Sequence, residues 1–160
     1  MQRARVRLRE RLTSHKPPWP ASVDGSAAER DLLKKYVEAG EAADLRALAS
    51  IIREDATFRM PPEPDVAEGR EAMFKLWIEG GFGSERFGRL RCVVTHANLQ
   101  PAVAAYVCRP GDSTWRALAM DVLRIEGGLI TEIVTFMPDN FPLFGLPIFM
   151  DPAPEMNTCH

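Results

Sequence analysis

The sequence predicts an α+β domain, with helices packed on one side of a curved antiparallel sheet. Three observations carry that reading. Residues 26–80 place apolar side chains at helical spacing, broken by one short β-rich run. From about residue 90 the period changes to two, and four strand-like runs follow. Short turn signals separate the later runs, so the strands are expected to form a meander.

The chain opens on "MQRARVRLRERL", which sets Arg3, Arg5, Arg7, Arg9 and Arg11 against Glu10 alone. Val6, Leu8 and Leu12 give a narrow apolar stripe on a segment too short to hold a helix by itself. Residues 13–25 contain Pro17, Pro18, Pro20 and Gly25 and read as an extended, semi-stiff linker. The domain proper is expected over 26–150, with a tail at 151–160.

"SAAE" sets Ser26 three before Glu29, the spacing of a capping box that satisfies orphan amides at a helix start. Leu32, Leu33, Tyr36 and Val37 then line one helix face, and Gly40 is the expected stop. Asp44 is placed to cap a second short helix, with Leu45, Leu48, Ala49 and Ile52 inward. "ATFRM" reads as a short strand ending at Pro61-Pro62. "GREAMFKLWIEGG" is a third helix with Met73, Phe74 and Trp77 on one face, ended by Gly80-Gly81. A glycine-rich loop over 81–89 leads into "LRCVVTHAN", "AVAAYVC", "WRALAMDVLRIE" and "LITEIVTFM". Gly111-Asp112 divides the second run from the third, and "EGG" at 126–128 marks a tight hairpin between the last two.

The totals exclude several classes. A length of 160 residues with 46% hydrophobic content suits one domain with a real core. A net charge of −2 argues against nucleic-acid binding by bulk electrostatics, and the arginine-rich start has no partner helix to set its angle in a groove. Cys92, Cys108 and Cys159 are odd in number and widely spaced, which points to reduced thiols in a cytoplasmic protein. No run approaches the ~18 apolar residues of a membrane span, and no apolar stretch follows the first arginines as a signal peptide requires. No Ser/His/Asp order, metal-ligand cluster or phosphate loop is present, so neither a metal nor a cofactor is expected.

The pieces "YVEAGEAADLRALASIIREDATFRMPP", "EGREAMFKLW", "THANLQPAVAAYV" and "ALAMDVLRIEGGLITEIVTF" span about residues 28–148 and resemble the SnoaL-like superfamily. Its cone-shaped fold, a cystatin-like roll, is shared by ketosteroid isomerase, limonene epoxide hydrolase and nuclear transport factor. A narrower resemblance joins the opening segment to the end of region 4 of extracytoplasmic-function sigma factors. In that group a proline-rich linker leads into a SnoaL-like domain carrying pieces that stand here as Met60-Pro61-Pro62, Asn98-Leu99-Gln100-Pro101-Ala102 and Phe144-Gly145-Leu146-Pro147. The regions that would read a promoter do not stand upstream in this sequence, so the chain alone is not expected to act as a sigma factor. It reads as a fragment, a truncated reading frame, or a free-standing domain that kept a remnant helix.

The resemblance implies an open-ended pocket between sheet and helices. Asp121, mid-strand between Ala119 and Leu123 on its own face, is the candidate base; Arg116 and Arg124 fall on the opposite face by alternation. His96 shares a face with Asn98 and is the second catalytic candidate, since an imidazole beside a carboxamide can position water or donate to a substrate oxygen. Tyr36, Phe58, Met60, Trp77, Asn98, Met120, Thr135 and Phe136 are the expected ligand contacts, with Trp115 a further wall residue. The epoxide hydrolase relay is not matched: Phe58 and Met60 replace a Tyr and an Asn, His96-Ala97-Asn98 replaces Arg-x-Asp, and Thr135 replaces an Asp. The apolar tail "NFPLFGLPIFMDP" is expected to plug the cone mouth or bury in a homodimer.

Two functions follow. The first is a regulatory domain that binds an apolar small molecule or a protein surface, with RNA polymerase sigma regions as partners in a longer chain. The second is an enzyme, a cyclase, isomerase or epoxide-type hydrolase, with Asp121 or His96 as base and Asn98 or Tyr36 stabilising oxyanion charge.

Overall fold

The computed structural model describes residues 25–151. The expectations placed on the basic opening segment, on most of the linker and on the last nine residues lie outside the described residues.

Helix α1 (Ala27–Glu41) starts as its capping signal requires, with Ser26 Oγ accepting from the Glu29 amide at 3.1 Å. It runs past Gly40 and ends at Ala42, after which Ala43 turns the chain at φ 51°. Helix α2 (Leu45–Ile51) is capped by Asp44, whose Oδ1 accepts from the Arg46 and Ala47 amides at 3.0 and 2.9 Å. Strand β1 (Ile52–Arg59) begins directly at the end of α2, four residues before the expected Ala56. A short β2 (Val66–Glu68) folds back on it, and helix α3 (Arg70–Glu79) follows from Gly69.

The meander is β3 (Arg89–Ala97), β4 (Gln100–Cys108), β5 (Trp115–Glu126) and β6 (Leu129–Phe136). Gly127 and Gly128, both at positive φ, close the β5–β6 hairpin as the "EGG" signal requires. The sheet order is β2-β1-β6-β5-β4-β3, with a terminal β7 (Phe149–Met150) on β5. All these ladders are antiparallel except β1 with β6, which is parallel, so the sheet is mixed at that one seam. Register breaks opposite Ala105–Tyr106 and at Arg124–Ile125 add local twist, which curls the sheet.

The inner face packs on the helices. Leu32, Leu33, Tyr36, Leu48, Met73, Val103, Leu123, Ile130 and Ile133 form its buried core. The outer face carries a second core of Tyr106, Trp115, Met120, Val122 and Phe141. The described part of the tail, up to residue 151, covers this face and does not line the cavity between sheet and helices, against the expected plug. A 3₁₀ turn (Pro138–Phe144) sets Phe141 edge-on to Tyr106 at 5.4 Å, and the Tyr106 hydroxyl donates to the Pro147 carbonyl at 2.9 Å. The Ala117 amide reaches the Ile148 carbonyl at 2.8 Å, which steers the chain into β7. Phe141 is fully buried, so the apolar run is explained by its own sheet. Cys92 is a free thiol, and the expectation placed on Cys159 lies outside the described residues. Among the described residues no helix is long and apolar enough to cross a membrane.

Candidate functional site

Between the inner face of the sheet and the helices lies a cavity of about 340 Å³. Helix α1 brings Tyr36 to it, β1 brings Phe58, and α3 brings Trp77. The loop after α3 brings Phe82 and Phe87, β3 Cys92, β5 Asp121 and β6 Thr135. The remaining wall is aliphatic, and Met60 and Leu76, both more than a third exposed, stand where it opens.

The polar groups gather at one point. Val103 and Thr135 stand opposite Asp121 on the two neighbouring strands, which fixes the carboxylate over the inner face. The Tyr36 hydroxyl donates to Asp121 Oδ2 at 2.9 Å, and Thr135 Oγ1 donates to Oδ1 at 2.5 Å. Burial pushes the Asp121 carboxyl above the ordinary carboxylate range, and the two hydroxyl bonds pull it only part of the way back. Burial, then the charge and hydrogen bond of Asp121, hold the Tyr36 phenol well above its ordinary value, so it keeps its proton and stays a donor. The Cys92 thiol is pushed up to about 12, first by burial and then by Glu41 and Asp121. Glu41 meets it from α1, accepting from the Cys92 amide at 2.7 Å.

The aromatic side is continuous. Phe58 meets Trp77 edge-on at 5.9 Å, Trp77 meets Phe82 at 5.9 Å, and Phe82 meets Phe87 at 6.3 Å. The loop that carries the last two is tied by amide bonds from Phe82 to Trp77 O and from Phe87 to Ser84 O. Gly88 lets this loop re-enter the sheet, since a Cβ there would stand 2.3 Å from the Cys108 carbonyl oxygen.

Six of the expected contacts thus meet at the cavity: Tyr36, Phe58, Met60, Trp77, Asp121 and Thr135. The others do not. His96 is exposed near the far end of β3 and does not line the cavity. Asn98 and Leu99 form the β3–β4 turn at φ 50° and 64°, a conformation for which Asn is suited, so Asn98 closes a hairpin away from the inner cavity. Met120, Phe136 and Asn98 line a second pocket of about 560 Å³ on the outer face, and Trp115 is buried on that face too. Arg116 is misplaced by alternation as well. Leu118 is an extra residue between the Ala105–Ala119 and Tyr106–Ala117 pairs, and Arg116 stands opposite Val107 on Asp121's side, at the sheet's exposed end over the Phe149 ring. Phe82, Phe87, Leu90 and Cys92 are cavity residues the sequence reading did not assign. The signal available was two phenylalanines in a loop of five to six residues' separation with too little else to cover them.

Elsewhere, the buried Glu132 carboxylate is ion-paired with Arg59. Among the described residues no group of three or more His, Cys, Asp or Glu side chains is placed to hold a metal ion.

The SnoaL-like domain family matches residues 33–133. The chain belongs to that family. The SnoaL-like domain is also 32% identical over 127 residues to the ECF RNA polymerase sigma factor SigG of Mycobacterium tuberculosis, an alignment covering 79% of this chain and 34% of that protein. The chain therefore spans about a third of the length of that relative. Among solved structures, an NTF-2 like protein of unknown function from Burkholderia xenovorans matches at TM-score 0.53 and 16% identity, covering 79% of this chain and 87% of the other. A de novo designed protein with a curved β-sheet matches at TM-score 0.53 and 14% identity, covering 72% and 90%. These structural likenesses carry the fold alone.

Proposed function

We infer that this SnoaL-like domain binds an apolar small molecule in its inner cavity and, as part of a sigma-factor-type protein, regulates transcription. The observation that carries the reading is the cavity itself: a space within the usual range of ligand sites, walled by apolar side chains, with one convergent polar cluster. The likeness to SigG supplies the regulatory context. Tyr36, Phe58, Met60, Trp77, Asp121 and Thr135 are the proposed ligand contacts. RNA polymerase sigma regions are the proposed partners in a longer chain, and the cytoplasm, where polymerase works, is the proposed location. Homodimerisation belongs to the same reading, motivated by exposed Met137, Leu143 and Phe149.

The test is a thermal-shift screen of apolar compounds with the full chain, followed by run-off transcription by the corresponding sigma factor in the presence of each hit. Stabilisation of the chain that is lost in a Trp77→Ala variant, together with a ligand-dependent change in transcript yield, supports the reading. A screen in which no apolar compound stabilises the chain overturns it.

A second reading is favoured by one observation, the raised carboxyl of Asp121 in an apolar wall, which suits a general base. It makes the domain an isomerase, cyclase or hydrolase of apolar substrates. Turnover of enones or epoxides by the full chain that disappears in Asp121→Asn supports it, and equal rates in the two proteins sink it.

A further inference from the structure

The charge inside the cavity is one-sided. Asp121 is the acidic residue in its wall, Tyr36, Thr135 and Cys92 are the polar neutral ones, and among the described residues that line it none is Lys, Arg or His. The hydroxyls of Tyr36 and Thr135 give the carboxylate one hydrogen bond on each oxygen. A carboxylate has about four acceptor positions, so acceptor capacity is left over toward the open space. Glu41, from the end of α1, stands just behind Cys92 and accepts from its amide at 2.7 Å. A buried carboxylate without a cation is costly, and the cost is removed by a ligand that brings one.

The opposite wall suits the same ligand. Phe58, Trp77, Phe82 and Phe87 form an unbroken aromatic cluster, and aromatic faces attract cations while accepting the hydrocarbon around them. An anionic ligand would meet Asp121 with no compensating group among the described residues of the lining.

We propose that the cavity takes a lipophilic amine, bound as its ammonium cation on the Asp121 carboxylate with its hydrocarbon body against the aromatic wall. The proposal rests on the reading of the cavity as a ligand site and adds the chemical class of the ligand. At about 340 Å³ the cavity suits a compact body of roughly ten to twenty non-hydrogen atoms. The groups that set the pH response are those facing the carboxylate: Tyr36 from α1, Thr135 from β6, and Cys92 with Glu41 beside it. Tyr36 and Cys92 both stay protonated through neutral pH, so Asp121 sets the acid limit of amine binding.

Three ligands sharing one cage separate the possibilities: 1-aminoadamantane, 1-adamantanol and adamantane-1-carboxylate. Each is titrated calorimetrically into the full chain at pH 7.5 and again at pH 4. The amine is expected to bind at least about tenfold more tightly than the alcohol at pH 7.5, with the carboxylate weakest. That preference is expected to shrink from pH 7.5 to pH 4, because the raised carboxyl of Asp121 moves toward its protonated form as pH falls. In Asp121→Asn the amine and alcohol are expected to bind alike. An alcohol that binds as well as the amine at pH 7.5, or a carboxylate that binds best, overturns the cation proposal and leaves the cavity a ligand site. Failure of all three to bind overturns the class proposal, and the broader reading then falls or stands on the apolar screen. The ligand series is decided on the unaltered protein, so it remains informative should Asp121→Asn fail to fold.

Discussion

Removing the Tyr36 hydroxyl tests the energetics of the Asp121 cluster directly. Tyr36→Phe deletes one oxygen from a residue that is 6% exposed, keeps the ring in the α1 core, and takes from Asp121 the donor at 2.9 Å. A hydrogen bond to a charged group contributes about 1.5–3 kcal/mol, whereas one between neutral groups contributes about 0.5–1.5 kcal/mol. The loss should therefore depend on whether Asp121 is ionised. Folding raises the carboxyl of Asp121, so the stability it contributes is fully present below the ordinary carboxylate value and is lost as pH rises through the raised one. The Tyr36 bond pulls that value down and so limits the loss. Without it the carboxyl rises further and the loss above it is larger. Urea unfolding of both proteins at pH 4 and pH 8 should show Tyr36→Phe destabilised at both, by about 1 kcal/mol more at pH 8 than at pH 4. Other carboxylates titrate alike in the two proteins and cancel in this comparison. An equal destabilisation at the two pH values, or a larger one at pH 4, would refute the claim that Tyr36 supports the ionised form.

Two further outcomes follow from the cavity walls. Gly88→Ala places a Cβ 2.3 Å from a backbone oxygen at φ +94°, where the chain can yield only by moving the β3 entry; it should cost at least about 2 kcal/mol in urea unfolding, and a loss under about 0.5 kcal/mol would contradict the close approach. Cys92, with its thiol pushed up to about 12, should alkylate with iodoacetamide at pH 8 on the order of a thousandfold more slowly than an ordinary cysteine, as followed by peptide mass spectrometry; a rate near that of a free thiol would contradict its burial.

Much of the fold was legible because its signals are local. Ser26, Asp44, the Gly80-Gly81 stop and the "EGG" hairpin each act within a few residues, and each stands where the sequence puts it. The parallel seam between β1 and β6 was not legible, since it joins residues at least 75 apart and leaves no local mark. Alternation correctly set Asp121, Ala119 and Leu123 toward the helices, but it failed for Arg116, because the extra Leu118 in β5 reverses the faces beyond it. His96 illustrates a different limit. It does share the Cys92 face by period, yet it stands near the end of β3, beyond the residues of that strand that line the cavity. For Asn98 the turn requirement was the stronger reading of "ANLQ", a residue type that tolerates positive φ at the point where two strands must join. The tail was apolar for a reason outside the cavity altogether: the outer face of the meander needs its own cover, and Phe141 on Tyr106 provides it.

The geometry around Asp121 bears on whether binding or turnover is its natural use. A general base that abstracts a proton beside a carbonyl leaves negative charge on the substrate oxygen, and a donor must meet that charge in the transition state. The hydroxyls at hand are those of Tyr36 and Thr135, and both already donate to the base itself. Turning either toward a substrate oxygen removes a bond that holds the carboxylate ionised, so the base becomes harder to keep deprotonated as the oxyanion becomes easier to stabilise. The two demands compete for the same protons. An ammonium ligand makes no such demand. It supplies its own donors to the unused acceptor positions of Asp121, leaves the Tyr36 and Thr135 bonds in place, and neutralises the charge that burial disfavours. The existing contacts then remain in place with the occupant bound, which is the behaviour expected of a site arranged to hold a molecule.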